Sequence, residues 1–155
     1  MPLCTIGYEK RSLGEYLELL TSSGVEVVVD VRETAWSHKP GFSKSAFAAG
    51  LTSAGIEYVH LPIAGNPKWL REVASTHAEC LEWYRWYLRE HPEVVQMLSH
   101  VLEDLGISHR RIALTCFERH PSDCHRSILA DSWAEVSAGE VTHIGPEGCR
   151  RLVTA

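Results

Sequence analysis

Apolar and polar positions along the chain switch between two periods, and the switches mark out the elements. Leu3 to Ile6 reads as a short strand ended by Gly7. From Ser12 the period lengthens: Leu13, Tyr16, Leu17 and Leu20 recur at helical spacing, Glu15 completes a capping box with Ser12, and Ser23-Gly24 stops the helix. Val25 to Val31 (VEVVVDV) is a nearly unbroken β-branched run, which predicts a strand buried on both faces. A loop from Thr34 to Phe42 follows, then a helix capped by Ser43 that runs to Ala54-Gly55, and a third strand from Ile56 to Leu61. Pro67 to about Glu90 reads as helix, interrupted near Ser75, with Thr76 and Glu79 as a second capping box. Pro92 opens another helix that ends at Leu105-Gly106. Arg111 to Cys116 is a fourth strand, Ser122 to Ala138 a helix stopped by Gly139, Glu140 to Ile144 a fifth strand, and Gly145 to Leu152 a last turn of helix.

Strands alternating with helices predict an α/β fold. We expect a single domain over 1–155, a mostly parallel sheet of about five strands flanked by helices, and a helical insertion at about 67–106 before the fourth strand. The two ends of such a sheet differ in content. The helix-to-strand turns (Ser23-Gly24, Ala54-Gly55, Leu105-Gly106, Ala138-Gly139) are bland. The strand-to-helix loops hold Tyr8, Glu9, Lys10, Arg32, Glu33, Ser37, His38, Lys39, His60, Asn66, Cys116, Glu118, Arg119 and His143. Ligands of open α/β sheets bind at the carboxyl ends of the strands, so this asymmetry points to a site there.

Composition narrows the classes. With 155 residues, 45% hydrophobic and 23% charged, the chain is an ordinary globular domain. No apolar run approaches the roughly 20 residues of a membrane span, so no membrane association is expected. The Met1–Gly7 start has no basic, apolar leader pattern, and five cysteines without framework spacing predict reduced thiols, so a cytoplasmic protein is expected. A net charge of −5 argues against a non-specific nucleic-acid coat. Lys10, Arg11, Arg32, His38, Lys39, Lys44, Arg119, His120, His125 and Arg126 nevertheless gather on a few loops, which suggests a small anionic or phosphate-bearing ligand.

The chemistry concentrates between Ala113 and Trp133. Cys116, Glu118, Arg119, His120, Asp123, Cys124, His125 and Arg126 fall within eleven residues. Cys124 at a helix start beside His125 and Arg126 would have a lowered pKa and could serve as nucleophile; the alternative is a small buried hydrophobe. Cys116, ending an apolar strand, reads as structural or as a site wall. The Cys-x5-Arg loop of phosphatases and sulfurtransferases is missing, because Ser122 and Ala130 stand where arginine would be needed. Cys116, Cys124, His125 and His143 could ligate zinc. The eight-residue cysteine spacing is not that of a zinc knuckle, and adjacent helical residues point about 100° apart, so we expect no metal or cofactor, with zinc as a minor alternative. An anion could rest on the helix start at Asp123–Arg126 with Arg32, Arg119 and Arg126 as forked donors. Against that stand ordinary ion pairs of Arg32 with Asp30 or Glu33, and of Arg119 with Glu118. Glu9 and Glu118 could act as an acid/base pair or be solvated charges. Trp83-Tyr84-Arg85-Trp86-Tyr87 suggests core packing or a homo-oligomer interface, with a base-stacking wall as the alternative.

The stretches Thr5-Ile6-Gly7-Tyr8-Glu9, Asp30-Val31-Arg32, Ser37 with Lys39-Pro40-Gly41-Phe42-Ser43-Lys44, Gly65-Asn66-Pro67-Lys68 and Cys116…Glu118-Arg119…Cys124-His125-Arg126-Ser127 together resemble the family called domain of unknown function 488. His38 departs from it, standing where that family usually has arginine. The resemblance implies a compact α/β fold and carries no established reaction. Val29-Asp30-Val31-Arg32-Glu33 is also similar to the rhodanese Asp-Val-Arg strand. Our expectation is an anion-binding α/β protein whose ligand is a nucleotide, nucleic-acid end or other phosphate-bearing molecule, and the sequence leaves open whether it acts on that ligand as an enzyme. Cys124, Glu118 and His125 are the catalytic candidates. Gly7, Tyr8, Glu9, Arg32, Ser37, His38, Lys39, Cys116, Arg119 and Arg126 are the ligand-binding ones. A non-catalytic binding or regulatory module and a rhodanese- or phosphatase-like cysteine enzyme are the alternatives.

Overall fold

The computed structural model describes residues 1–145 and the backbone of 148–150. Six strands form one sheet: β1 (Leu3–Gly7), β2 (Val27–Asp30), β3 (Glu57–His60), β4 (Ile112–Cys116), β5 (Val141–Gly145) and β6 (Gly148–Arg150), in the order β3-β2-β4-β1-β5-β6. The first five are parallel, and β6 runs antiparallel along β5. β4 lies between β1 and β2, with Gly7 opposite Cys116 and Asp30 opposite Thr115. That register brings the ends of three strands to one edge.

The β-branched run behaves as a central strand should. Val27 and Val29 belong to the core on one face of the sheet, and Val28 to the core on the other. Helices α1 (Leu13–Ser22) and α2 (Lys44–Ser53) carry Tyr16, Leu20, Phe47 and Leu51 into the Val28 core. Helices α4 (His77–Glu90), α5 (Pro92–Leu105) and α6 (His125–Ser137) carry Tyr84, Leu98, Leu102, Leu129 and Trp133 into the other. Each fully buried aliphatic side chain contributes about 1.5–3 kcal/mol. A short α3 (Lys68–Val73) precedes α4, so three helices stand between β3 and β4. Among the described residues no helix is long and apolar enough to cross a membrane.

The Ser12–Glu15 capping box forms as the spacing predicts, and Pro92 opens α5, which ends at Gly106 in the left-handed region (φ 88°). Four expectations need correction. Thr76 caps α4 through the Glu79 N–H, but the Glu79 carboxylate reaches back to the N–H of Ser75 instead of completing the box on Thr76. Ser43 precedes α2 without capping it; its hydroxyl accepts from the Ser37 N–H and donates to the Ser37 carbonyl, tying the loop closed. Helix α6 begins at His125, after a 3-10 turn over Pro121–Asp123, and Ala138 (φ 56°) takes the left-handed stop expected of Gly139. In place of a last helical turn, Gly148–Arg150 pairs with β5 as a sixth strand. The outer edge of β5 offers unpaired backbone groups, and a short antiparallel strand satisfies them. Residues 146–147 and 151–152 of that expected turn lie outside the described residues.

Candidate functional site

The loops after β1 and β4 run together beyond the sheet. The Tyr8 N–H donates to the Cys116 carbonyl (3.3 Å) and the Glu9 N–H to that of Phe117 (2.8 Å). Gly7 permits this approach, since a Cβ there would collide with the carbonyl oxygen of Glu118. The Glu9 carboxylate accepts from the Arg119 N–H (3.1 Å), so it holds the loop rather than facing a ligand. Arg126 is 1% exposed and braces the same loop. Its Nη1 donates to the Glu118 carbonyl (2.5 Å) and its Nη2 to that of Arg119 (3.4 Å), while burial lowers its pKa to about 10. Arg11, also buried, donates to the Gly7 carbonyl at 2.5 Å.

Arg32 follows β2 and is tightly held. It grips both oxygens of Asp30 (2.8 and 2.7 Å) and donates to the Phe42 carbonyl (2.6 Å) and the Tyr8 hydroxyl (3.2 Å). Tyr58 donates to the same Asp30 carboxylate at 2.6 Å. The ordinary ion-pair reading of Arg32 is therefore the one realised, and its guanidinium is a wall with its donors engaged. Ser37 accepts from the Lys39 N–H, Lys39 donates to the Tyr8 carbonyl, and the exposed His38 packs against Trp36. Ser37 and His38 shape their own loop, and Lys39 ties that loop to the one after β1.

The end of β4 and the start of α6 meet at two sulfurs. Cys116 and Cys124 form a disulfide, whereas Cys80 is a buried thiol. The expectation of reduced thiols is thus corrected for this pair. Sequence spacing could not reveal it, because the two cysteines are joined by the register of β4 against the entry of α6. Cys124 is the N-cap of α6 in extended conformation (φ −131°, ψ 141°), and its Sγ lies 3.5 Å from the Arg126 N–H. His125 is buried against Tyr84. Its Nε2–H donates to the Val31 carbonyl (2.9 Å), which leaves Nδ1 facing Cys124 Sγ at 3.8 Å. Burial pushes the His125 pKa down to about 4, so the ring is neutral near pH 7. Glu118 Oε2 lies 3.5 Å from Cys116 Sγ, and burial raises the Glu118 pKa.

These groups floor a cleft of about 920 Å³ at the carboxyl ends of the strands, lined by Arg32, Cys116, Phe117, Glu118 and His125. Its far wall comes from the helical insertion: Asn66, Lys68, Arg71, His77 and Cys80. Glu33 joins the two sides, accepting from the Lys68 N–H (3.1 Å) at the start of α3 and pairing with Arg71 at 3.5 Å. Of the predicted residues, the structure gathers Arg32, Cys116, Glu118 and His125 on the cleft surface. Cys124 is bonded behind them, and Gly7, Glu9 and Arg126 support the loop. Tyr8 is buried beside Phe42 and Phe117, and Arg119 takes part through its backbone. Ser37, His38 and Lys39 do not line the cleft. His143 sits in β5, hydrogen-bonded to the Thr5 hydroxyl at 2.5 Å and apart from the sulfur cluster. Arg71, His77 and Cys80 escaped sequence reading. The Gly65-Asn66-Pro67-Lys68 turn marks their neighbourhood, but nothing in their spacing separates them from helix surface. In the aromatic run, Tyr84 is buried and donates to the Ala64 carbonyl (2.8 Å), while Trp83 and Trp86 stay partly exposed outside the cleft.

The family described as "Domain of unknown function DUF488" matches residues 12–133. No curated protein matches the chain. Two solved structures of a candidate phosphatase (DUF442) from Shewanella putrefaciens CN-32 are similar in shape, with TM-scores of 0.43 and 0.39 and sequence identities of 16% and 13%. They align with 86% and 88% of this chain, which spans 66% and 85% of theirs.

Proposed function

Because the chain belongs to the DUF488 family, whose description names no activity, its own cleft has to suggest the function, and we propose an enzyme acting on a small anionic, phosphate-bearing molecule bound there. The observation that supports this most is the meeting, in one cleft, of Cys116, Glu118 and His125 with the cations of α3. Arg71 and Lys68 are exposed and only loosely paired, Arg71 with Glu33 at 3.5 Å and Lys68 with Glu72 at 3.7 Å. They, rather than the engaged Arg32 and Arg126, take the anion-holding role. Glu118, whose carboxyl pKa burial raises, is placed to give up a proton, and the neutral His125 can accept one. The sulfur pair supplies the reactive centre once reduced.

The test uses inorganic phosphate and a panel of phosphomonoesters on the chain reduced by a phosphine. Phosphate should raise the melting temperature saturably, and Arg71→Ala should remove that rise. Turnover should need reduction and should be lost in Cys116→Ser. Phosphate binding untouched by Arg71→Ala would refute the cleft as the anion site. Saturable binding without any product on long incubation would make the protein a binding module instead.

A further inference from the structure

We infer that the reduced Cys116–Cys124 pair, together with His125 Nδ1 and the Glu118 carboxylate, forms a site for a soft divalent cation such as Zn²⁺ on the floor of the cleft. The sulfurs of Cys116 and Cys124 and a ring nitrogen of His125 lie within 4.8 Å of one another, and all three residues are buried. Two thiolates and an imidazole are a zinc-type donor set. The objection that neighbouring helical residues diverge does not apply, because Cys124 is extended and only His125 is helical. The result is the Sγ to Nδ1 approach of 3.8 Å.

A second observation points the same way. A metal-binding imidazole characteristically donates its other N–H to a backbone carbonyl, which fixes ring and tautomer. His125 does so to Val31 at 2.9 Å, and its free lone pair is thereby aimed at the sulfurs. Arg126 supplies the matching support for the thiolates: Nη1 lies 3.5 Å from Cys116 Sγ and the backbone N–H 3.5 Å from Cys124 Sγ. Glu118 Oε2, 3.5 Å from Cys116 Sγ on the cleft side, is placed as the fourth ligand, one that an incoming anion can displace.

Disulfide and metal exclude one another. Opening the bond takes two electrons and two protons: a dithiol supplies both and becomes a disulfide, whereas a phosphine supplies the electrons and becomes its oxide, with the protons and oxygen coming from water. Binding of M²⁺ then displaces the two thiol protons. The inference names the group the reactive sulfurs would hold, and rests on the cleft reading only for the displacing anion.

The experiment titrates Co²⁺ into the full chain, first oxidised and then reduced by a phosphine without oxygen. The expected result for reduced protein is one equivalent bound, with a thiolate-to-cobalt charge-transfer band and the visible absorption of a tetrahedral ion, all bleached by Zn²⁺. The oxidised chain and Cys124→Ser should give no such band. Glu118→Gln, which keeps the sulfur ligands, should retain it while affinity falls about 10- to 100-fold. Cys80→Ser should bind like wild type. No band in the reduced chain, a band of equal strength in the oxidised chain, or a band surviving Cys124→Ser would each overturn the site. Because none of these arms contains phosphate, failure here leaves the anion reading standing, and phosphate binding untouched by Arg71→Ala, which refutes that reading, leaves the metal site standing.

Discussion

Gly7 shows how a missing side chain can matter more than a present one. A Cβ at this position would strike the Glu118 carbonyl oxygen and sit 2.6 Å from its carbon. Gly7→Ala must therefore push away the loop that carries Cys116 and Glu118. We expect a loss of about 1–3 kcal/mol in urea unfolding, with reactivity changed at Cys116 more than at Cys80. Asp30 and Arg32 are the opposite case, a buried charge pair in which each partner is costly alone. Asp30→Asn leaves the guanidinium under-compensated and should cost about 3–5 kcal/mol by the same measurement. His125 links burial to pH. Below an ordinary value near 6.5 the unfolded chain takes up a proton there, whereas the folded chain does so only near pH 4. Stability contributed by the neutral ring is thus complete above about pH 6.5 and lost as pH falls toward 4. Between pH 7 and pH 5 wild type should lose about 2 kcal/mol more than His125→Asn, and equal losses would show that the folded ring titrates normally.

Helix α3 makes one wall of the cleft although it is only six residues long. Too short to persist by propensity alone, it depends on how its ends are held. Its start is fixed from across the cleft by Glu33, whose carboxylate accepts from the Lys68 N–H and faces Arg71. Glu33→Ala should remove about 1 kcal/mol and speed amide exchange over 68–73 well before that of β4; uniform acceleration across the fold would show the cap to be unimportant. This wall also marks the limit of what the sequence discloses. Period and capping residues identify β1, α1, β2 and α5, because those signals are local. They place the chemistry at the strand ends because strand-to-helix loops can be recognised without coordinates. They do not reveal that Arg71 and His77 line the same cleft as Cys116, since that placement depends on how the insertion folds back. The same gap explains Ser43, which has a capping residue's identity but finds Ser37 a closer partner, and Gly148–Arg150, which becomes a strand through the free edge of β5. Arg32 and Arg126 illustrate it for function: their residue type suits an anion, but only the fold shows that Arg32 is engaged by Asp30, Phe42 and Tyr8 and that both Nη atoms of Arg126 are turned onto loop carbonyls.

The central strand β4 and the start of α6 are joined where sheet, cleft and proposed metal site coincide, so the state of the Cys116–Cys124 pair should be felt throughout the fold. The disulfide closes a loop of eight residues. Chain entropy alone then assigns it about 2.5 kcal/mol of stability relative to the open form. For a domain of this length that corresponds to a melting temperature lower by roughly 5–10 °C after reduction. If the reduced cluster holds Zn²⁺, binding to the folded form alone should return about 2.7 kcal/mol at a hundredfold excess over the dissociation constant. The melting temperature should therefore fall on reduction by a phosphine and recover when Zn²⁺ is added. The recovery should be absent in Cys124→Ser and in the oxidised chain. Recovery with Zn²⁺ in Cys124→Ser would assign the effect to other ligands. A drop on reduction without recovery would leave the pair as a structural disulfide, with the cleft's chemistry resting on Glu118 and His125. At that zinc excess the two effects have opposite signs and similar size, so the folded protein would have similar stability with the disulfide closed and with the reduced pair holding Zn²⁺.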